Sequence, residues 1–327
     1  MSESIVDPGR EIVDPHHHLW RDADHGAGDY LLPDLRADLG SGHRIVQTVF
    51  VECGAGYRAD GPEHLRPVGE TELVAEQAAL SEEDGGAVIA GIVASADLRL
   101  PLDQLDEVLD AHEAAAGGRF RGIRHALSSA PDPSFLLIPG RAPAGLAHDP
   151  DFRRGVAHLG ERGLTYDTWH YHHQMPEFVE LARAVPGTTM ILDHFGTPLG
   201  VGPYAGRHDE IFATWCDDIR DAAGCPNVVA KLGGLAMPDN GFGWHETGPP
   251  SADELAAAHG RWYRHAIETF GPNRCMFESN FPVDKLSVPY DVLVNAQKLM
   301  AAEYTDAEQD RMWAGTARDV YGLPVPA

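Results

Sequence analysis

Ile12-Val13-Asp14-Pro15-His16-His17-His18-Leu19-Trp20 carries a short apolar run into three consecutive histidines. An open doubly wound sheet usually places a Gly-rich phosphate turn after its first strand. Here that place is taken by Pro15-His16-His17-His18. Side chains alternate along a strand, so His16 and His18 share one face and His17 points away. Two imidazoles side by side near a strand end can bind a metal or work as a catalytic pair. A tag remnant fits poorly, because only three histidines stand between Ile-Val-Asp-Pro and Leu-Trp.

Working outward, β-rich runs alternate with helical patterns. Strands are predicted over 11–14, 45–52, 87–95, 120–127, 164–171, 188–195, 227–232 and 275–279. Helices are predicted over 70–83, 102–115, 151–161, 176–185, 208–223, 252–270, 290–303 and 306–314, with a last turn at 317–321. Asp149 or Asp151, and Ser251, are the expected N-caps. Eight strands nearly all separated by helices describe an α/β chain folded as a (β/α)8 TIM barrel. The open doubly wound sheet is the runner-up. Loops 19–43, 128–149, 196–207 and 235–250 are long, and most follow strands, so they lie over one barrel mouth as substrate walls or lids.

Composition narrows the functions. The 327 residues carry 43% hydrophobic side chains, enough for a large core, and a net charge of −25. That charge argues against a nucleic-acid partner, which needs a basic footprint. Cys53, Cys216, Cys225 and Cys275 form no CxxC pair and read as reduced thiols of a cytoplasmic protein. The acidic start Met1-Ser2-Glu3-Ser4 predicts no signal peptide, and no long apolar run predicts a membrane span.

Active sites of such barrels sit at the C-terminal strand ends. Those ends carry His16 and His18, then Arg121, Arg124 and His125. Farther along come Trp169 to Gln174, Asp193-His194, Lys231, and finally Glu278-Ser279-Asn280 with Asp284. Parity puts one of Arg121 and Arg124 inside the barrel, and Arg124 lies nearer the mouth. Parity also pairs His170 with His172, and turns Asp193 away from His194 toward the helix layer. Lys231 precedes Gly233-Gly234, where backbone must come close to something. His112, His148, His158, His208, His259 and His265 are read as surface residues.

These segments resemble a known family. Asp14-Pro15-His16-His17-His18-Leu19-Trp20 resembles the Asp-x-His-x-His-x-Trp opening of the amidohydrolase-related proteins. Phe120 to His125, Leu192-Asp193-His194-Phe195-Gly196-Thr197-Pro198, Asn227 to Gly234 and Cys275 to Pro282 are similar to its later signatures. The resemblance spans about residues 11–322 and implies one amidohydrolase-like TIM-barrel domain over 1–327. It implies hydrolysis of a small acyl substrate, with lactonases and some decarboxylases among the relatives. His16, His18 and His194 would correspond to residues that ligate a zinc-class divalent ion in metal-using members, together with an eighth-strand aspartate. This chain has Ser279-Asn280-Phe281-Pro282 where Ser-Asp-Trp-Pro is usual. Asn cannot serve as a base. Metal-free catalysis therefore stays open beside the metal route.

The expected chemistry is water attack on a lactone carbonyl. His16, His18 and His194 polarise it, directly or through Zn²⁺. Asp284 or Glu278 is the base, Asn280 orients water, and His172 donates a proton or touches substrate. Arg124 and Lys231 hold a carboxylate or oxyanion of an anionic small-molecule substrate. Trp20, Trp169 and Trp244 form walls, and His245 reaches over the mouth. Non-oxidative decarboxylation and a catalytically silent ligand-binding barrel are the other readings; the oligomeric state is left open.

Overall fold

The structure is a computed structural model that describes residues 3–26, 28–83 and 85–325. Eight parallel strands form one sheet in sequence order: β1 Glu11–His17, β2 Arg44–Val51, β3 Val88–Ala94, β4 Phe120–Arg124, β5 Thr165–Thr168, β6 Met190–Leu192, β7 Val228–Leu232 and β8 Cys275–Phe277. The sheet curls round until its ends meet. Asn280 N–H donates to His16 O at 3.0 Å and His18 N–H donates to Phe281 O at 2.8 Å. This is the (β/α)8 TIM barrel that the alternation of runs predicts.

Helices fill the connections. The larger ones cover Val68–Glu83, Leu102–Ala115, Pro150–Glu161, Met175–Ala184, His208–Ala223, Ala252–Phe270 and Tyr290–Ala301. Asp149 caps Asp151 and Phe152, and Ser251 caps Glu254 in a capping box. Each such cap contributes about 1 kcal/mol. The segment expected as a loop over 19–43 contains a helix, Leu32–Leu39, that buries Leu32, Leu35 and Leu39. Their i, i+3, i+7 spacing is helical, but two turns are too short for the period to stand out.

Strand lengths differ from expectation where the site is built. β1 runs three residues further, through His17, while β5 and β6 stop at Thr168 and Leu192. At His194 and Phe195 the backbone turns to φ +54° and +58°, so strand parity ends there.

The other end of the barrel is plugged from below. Val13, Val49, Ala90, Val93, Ile191, Val229 and Met276 point inward and pack against Ala314, Ala317, Tyr321 and Leu323. A Cβ at Gly91 would come within 3.2 Å of Leu323, so glycine there leaves room for the plug. Over the mouth, Asp239 accepts from the amides of Leu137 and Ile138 at 2.7 and 2.9 Å. That carboxylate ties the loop after β4 to the loop after β7. Among the described residues, no helix is long and apolar enough to cross a membrane.

Candidate active site

His16 is the centre of the site, at the end of β1 and fully buried. As parity predicts, His16 Nε2 lies 3.3 Å from His18 Nε2, while the His17 ring turns away to Thr48 Oγ1 at 3.0 Å. The partner of His18 fixes its proton. Val51 O, 2.7 Å from His18 Nδ1, can only accept. His18 therefore carries its proton on Nδ1 and turns a bare Nε2 toward His16. His16 has a donor-only cation at each ring nitrogen, Lys231 Nζ 3.3 Å from Nδ1 and Arg124 Nη1 3.4 Å from Nε2. Burial, then the positive neighbours Lys231 and Arg124, hold His16 and His18 respectively far below the usual imidazole range. Both rings are neutral.

His194 comes from the turn after β6. Its backbone N–H and its Nδ1–H both donate to Glu278 Oε1, at 3.2 and 2.7 Å, which leaves its Nε2 bare. The ring fits because residue 234 is a glycine: a Cβ there would meet Nδ1 at 2.4 Å. Gly233 is needed in the same way against Glu278. The close approach expected after Lys231 is thus the seating of this pair. Burial lowers His194 to about 3 and raises Glu278 to about 8.

Lys231 is fully buried. Its Nζ donates to Asp167 Oδ2 at 2.7 Å and lies 3.1 Å from Asp193 Oδ1. Burial alone would lower its pKa, but Asp167, Asp193 and Glu278 together raise it. Arg124 also faces inward, as expected, while Arg121 bonds carbonyls at the opposite end. Arg124 Nε pairs with Glu52 Oε1 at 2.7 Å, and Nη1 lies 3.4 Å from His16 Nε2. Both cations expected to hold an anionic substrate are therefore already paired with carboxylates.

Asp193 is not turned toward the helix layer. It is buried beside Lys231, with His16 and Arg124 each at 3.8 Å. The left-handed turn at His194 breaks the alternation that the sequence reading carried across it. His170 and His172 do not pair either, because β5 ends at Thr168. His170 stacks on Phe178, and His172 accepts from Leu199 N–H and meets Tyr204 edge-on. Burial lowers His172 to about 4.

Asp284 accepts from Asn280 Nδ2 at 2.9 Å and from Ala236 N–H at 3.2 Å. Trp20 Nε1 bonds Gly28 O, Trp169 Nε1 bonds Thr197 Oγ1, and His245 lies 3.7 Å from Glu246 on an outer turn. Among the described residues, no hydrogen bond or ion pair joins His172, Asp284, Trp20, Trp169 or His245 to the His16 cluster. His112 and His259 are buried in helix packing rather than on the surface. Glu52, Asp167 and Tyr321 belong to the network and were missed. Glu52 was legible as an acid at a predicted strand end, whereas Asp167 lay inside the predicted fifth strand.

His16, His194 and Glu278 offer ligand atoms within 4.8 Å of one another and could hold a metal ion. Glu278 Oε2 supports this fit. It is buried, has no hydrogen-bond partner, and lies 2.8 Å from His16 Nδ1 without the alignment of a hydrogen bond. Two imidazoles and a carboxylate suit a zinc-class ion. The Lys231 ammonium beside the same nitrogen works against a second cation.

A cavity of about 680 Å³ opens at the N-terminal ends of β2 to β4, lined by Arg44, Gln47, Arg119 and Arg121 among others. It holds no such cluster. The cluster that could hold a metal ion lies at the other end of the barrel.

The amidohydrolase family model matches residues 13–323. An L-fucono-1,5-lactonase of Burkholderia multivorans is 30% identical, with 96% of this chain and 97% of that protein covered. An uncharacterised protein of Sinorhizobium fredii is 32% identical over 95% of this chain and 98% of its own. A solved amidohydrolase of Burkholderia multivorans with bound zinc is 28% identical, with a TM-score of 0.75 over 96% of this chain and 99% of that one. The chain belongs to the amidohydrolase family and is a hydrolase.

Proposed function

We propose that the protein hydrolyses a neutral lactone, with the Glu278–His194 pair as the base for the attacking water. The observation that carries this is the 2.7 Å hydrogen bond from His194 Nδ1 to Glu278 Oε1. It fixes the ring with Nε2 free to take a proton, as a carboxylate orients the histidine of a hydrolytic triad. Glu278 is the stronger base of the two, so the proton comes to rest on the pair's carboxylate.

Arg124 lies beside the pair at the strand ends and supplies charge and hydrogen bonding to the oxyanion, while His18, its one N–H held by Val51 O, contributes no donor. Lys231 keeps Asp193 and His16 in place from below. If a zinc-class ion is bound, His16, His194 and Glu278 hold it, and it supplies carbonyl polarisation and a more acidic water. Asn280 and Asp284 position the turn after β8, whose backbone closes on His16.

Neutral substrates are favoured because Arg124 and Lys231 are already paired with Glu52 and Asp167, so a substrate carboxylate finds no unpaired cation between them. Replacing Glu52 or Asp167 as their partner would cost a buried ion pair. The similarity to an L-fucono-1,5-lactonase points the same way. The test is a lactone panel assayed with and without chelator. Turnover of a neutral sugar lactone, abolished by His194→Ala with thermal unfolding nearly unchanged, is the expected result. No turnover of any lactone would sink the reading.

A further inference from the structure

The C-terminal helix Thr316–Tyr321 closes the bottom of the barrel, and its last residue reaches the site's charges from below. Tyr321 is buried, and its hydroxyl donates to Asp167 Oδ2 at 2.6 Å. Lys231 Nζ donates to that same oxygen at 2.7 Å. The Tyr321 ring also lies under the ammonium, 5.5 Å from centroid to Nζ. Thr165 Oγ1 donates to the other oxygen of Asp167 at 3.2 Å. One carboxylate is thus held by three donors, and one of its partners touches His16 Nδ1 at 3.3 Å.

We propose that Tyr321 is a positioning residue for the reaction at the opposite end of the barrel. Its hydroxyl and ring hold the Asp167–Lys231 pair so that the ammonium faces His16 Nδ1.

The physical reasons are two. Lys is a compact charge on a flexible stem, and its direction depends on where its acceptors stand. Asp167 stands still only if its own oxygens are satisfied, because a buried carboxylate with a lost partner re-orients or draws in water. The plug supplies that partner and excludes water from beneath the lysine. A tyrosine that served packing alone would need no hydroxyl at this depth, since Ala314, Ala317 and Leu323 already fill the barrel floor.

The proposal rests on the site described above being the catalytic one, so its test has a readout that does not need turnover. Tyr321→Phe keeps the ring and removes one hydrogen bond to a charged group. On the best lactone of the panel it should lower kcat roughly tenfold, with KM within about twofold. Asp167→Asn should cost at least as much, and the double variant no more than Asp167→Asn alone, because both act through one carboxylate. Leu323→Ala loosens the same plug and keeps the hydroxyl; it should lower the unfolding temperature and leave kcat unchanged.

In protein carrying ¹⁵N-labelled histidine, the His16 ring resonances, assigned by their loss in His16→Gln, should shift in Tyr321→Phe and not in Leu323→Ala. That shift is readable even if no lactone is turned over, in which case only the substrate reading fails. Unshifted His16 resonances in Tyr321→Phe overturn the proposal. So does wild-type kcat in that variant, an equal loss of kcat in Leu323→Ala, or additive losses in the double variant.

Discussion

His194 and Glu278 are joined twice through a single oxygen. The backbone N–H and the ring Nδ1–H of His194 both donate to Glu278 Oε1, at 3.2 and 2.7 Å. Two donors on one acceptor fix the ring plane as well as its tautomer. The left-handed backbone at His194 (φ +54°) aims both donors the same way, which an extended strand cannot do. The second carboxylate oxygen, Oε2, is left buried and unbonded beside His16.

Glu278→Gln keeps the side chain's size and an oxygen for His194, but the amide cannot take up a proton. With a general base worth about 10²- to 10⁴-fold, kcat should fall by at least about a hundredfold. The unfolding temperature should stay within a few degrees. Steady-state kinetics beside a thermal melt checks both; a variant with normal kcat removes Glu278 from the mechanism.

The pH dependence follows from the same residue. Burial raises Glu278 to about 8, and only its ionised form can accept a proton from the pair. Activity should therefore climb as pH rises through about 8 and level off above it. His194, lowered to about 3 by burial, stays neutral throughout this range and adds no second limb. A profile of kcat/KM against pH reads the rise, and Glu278→Gln should abolish it.

Zinc binding is separable from turnover. An ion held by His16, His194 and Glu278 stabilises only the folded chain, so added zinc should raise the unfolding temperature. The rise should vanish in His16→Ala and in Glu278→Gln. Elemental analysis of the purified chain gives the occupancy. Full activity in metal-depleted protein would assign the chemistry to the Glu278–His194 pair alone.

Substrate charge is a further test. Arg124 pairs with Glu52 at 2.7 Å, and Lys231 with Asp167 at 2.7 Å. Neutral sugar lactones should show higher kcat/KM than carboxylated lactones of similar size, by about tenfold or more where an unpaired carboxylate must be buried. Their kcat/KM should also vary little with salt, since no charge steers them. A strong preference for dicarboxylates would mean that Glu52 or Asp167 gives way.

Much of this site was legible in the chain, for a physical reason. Where a strand runs to the barrel mouth, period two assigns each side chain to a face, and His16, His18, Arg124 and Lys231 all lie in such stretches. The pattern misled at Asp193 and at His172, because the strands end at Leu192 and Thr168 and the backbone then turns. No local period records a left-handed turn at a non-glycine residue. Tyr321 was invisible for another reason. It acts across 154 residues of sequence, and only the closed barrel brings it to Asp167.

Asn280 is where this chain departs from the usual eighth-strand aspartate, and the structure shows what the amide does. Its Nδ2 donates to Asp284 Oδ1 at 2.9 Å, with both residues buried and Asn280 at φ +56°. Burial raises Asp284 well above the usual carboxylate range. Asn280→Asp would replace the donor with a second carboxyl at that distance, so one of the two must keep a proton to bridge them. The variant should lose about 1–3 kcal/mol of stability, the cost of an unsatisfied buried group. The sign with pH is also set. Acids whose folded pKa is raised hold more protons folded than unfolded, so their contribution is present at low pH and is lost as pH rises. Asn280→Asp should therefore lie closest to the parent protein in acid and fall further behind toward neutral and alkaline pH. Urea unfolding of both proteins at several pH values measures the gap; a gap that narrows as pH rises would show that residues 280 and 284 do not share a proton.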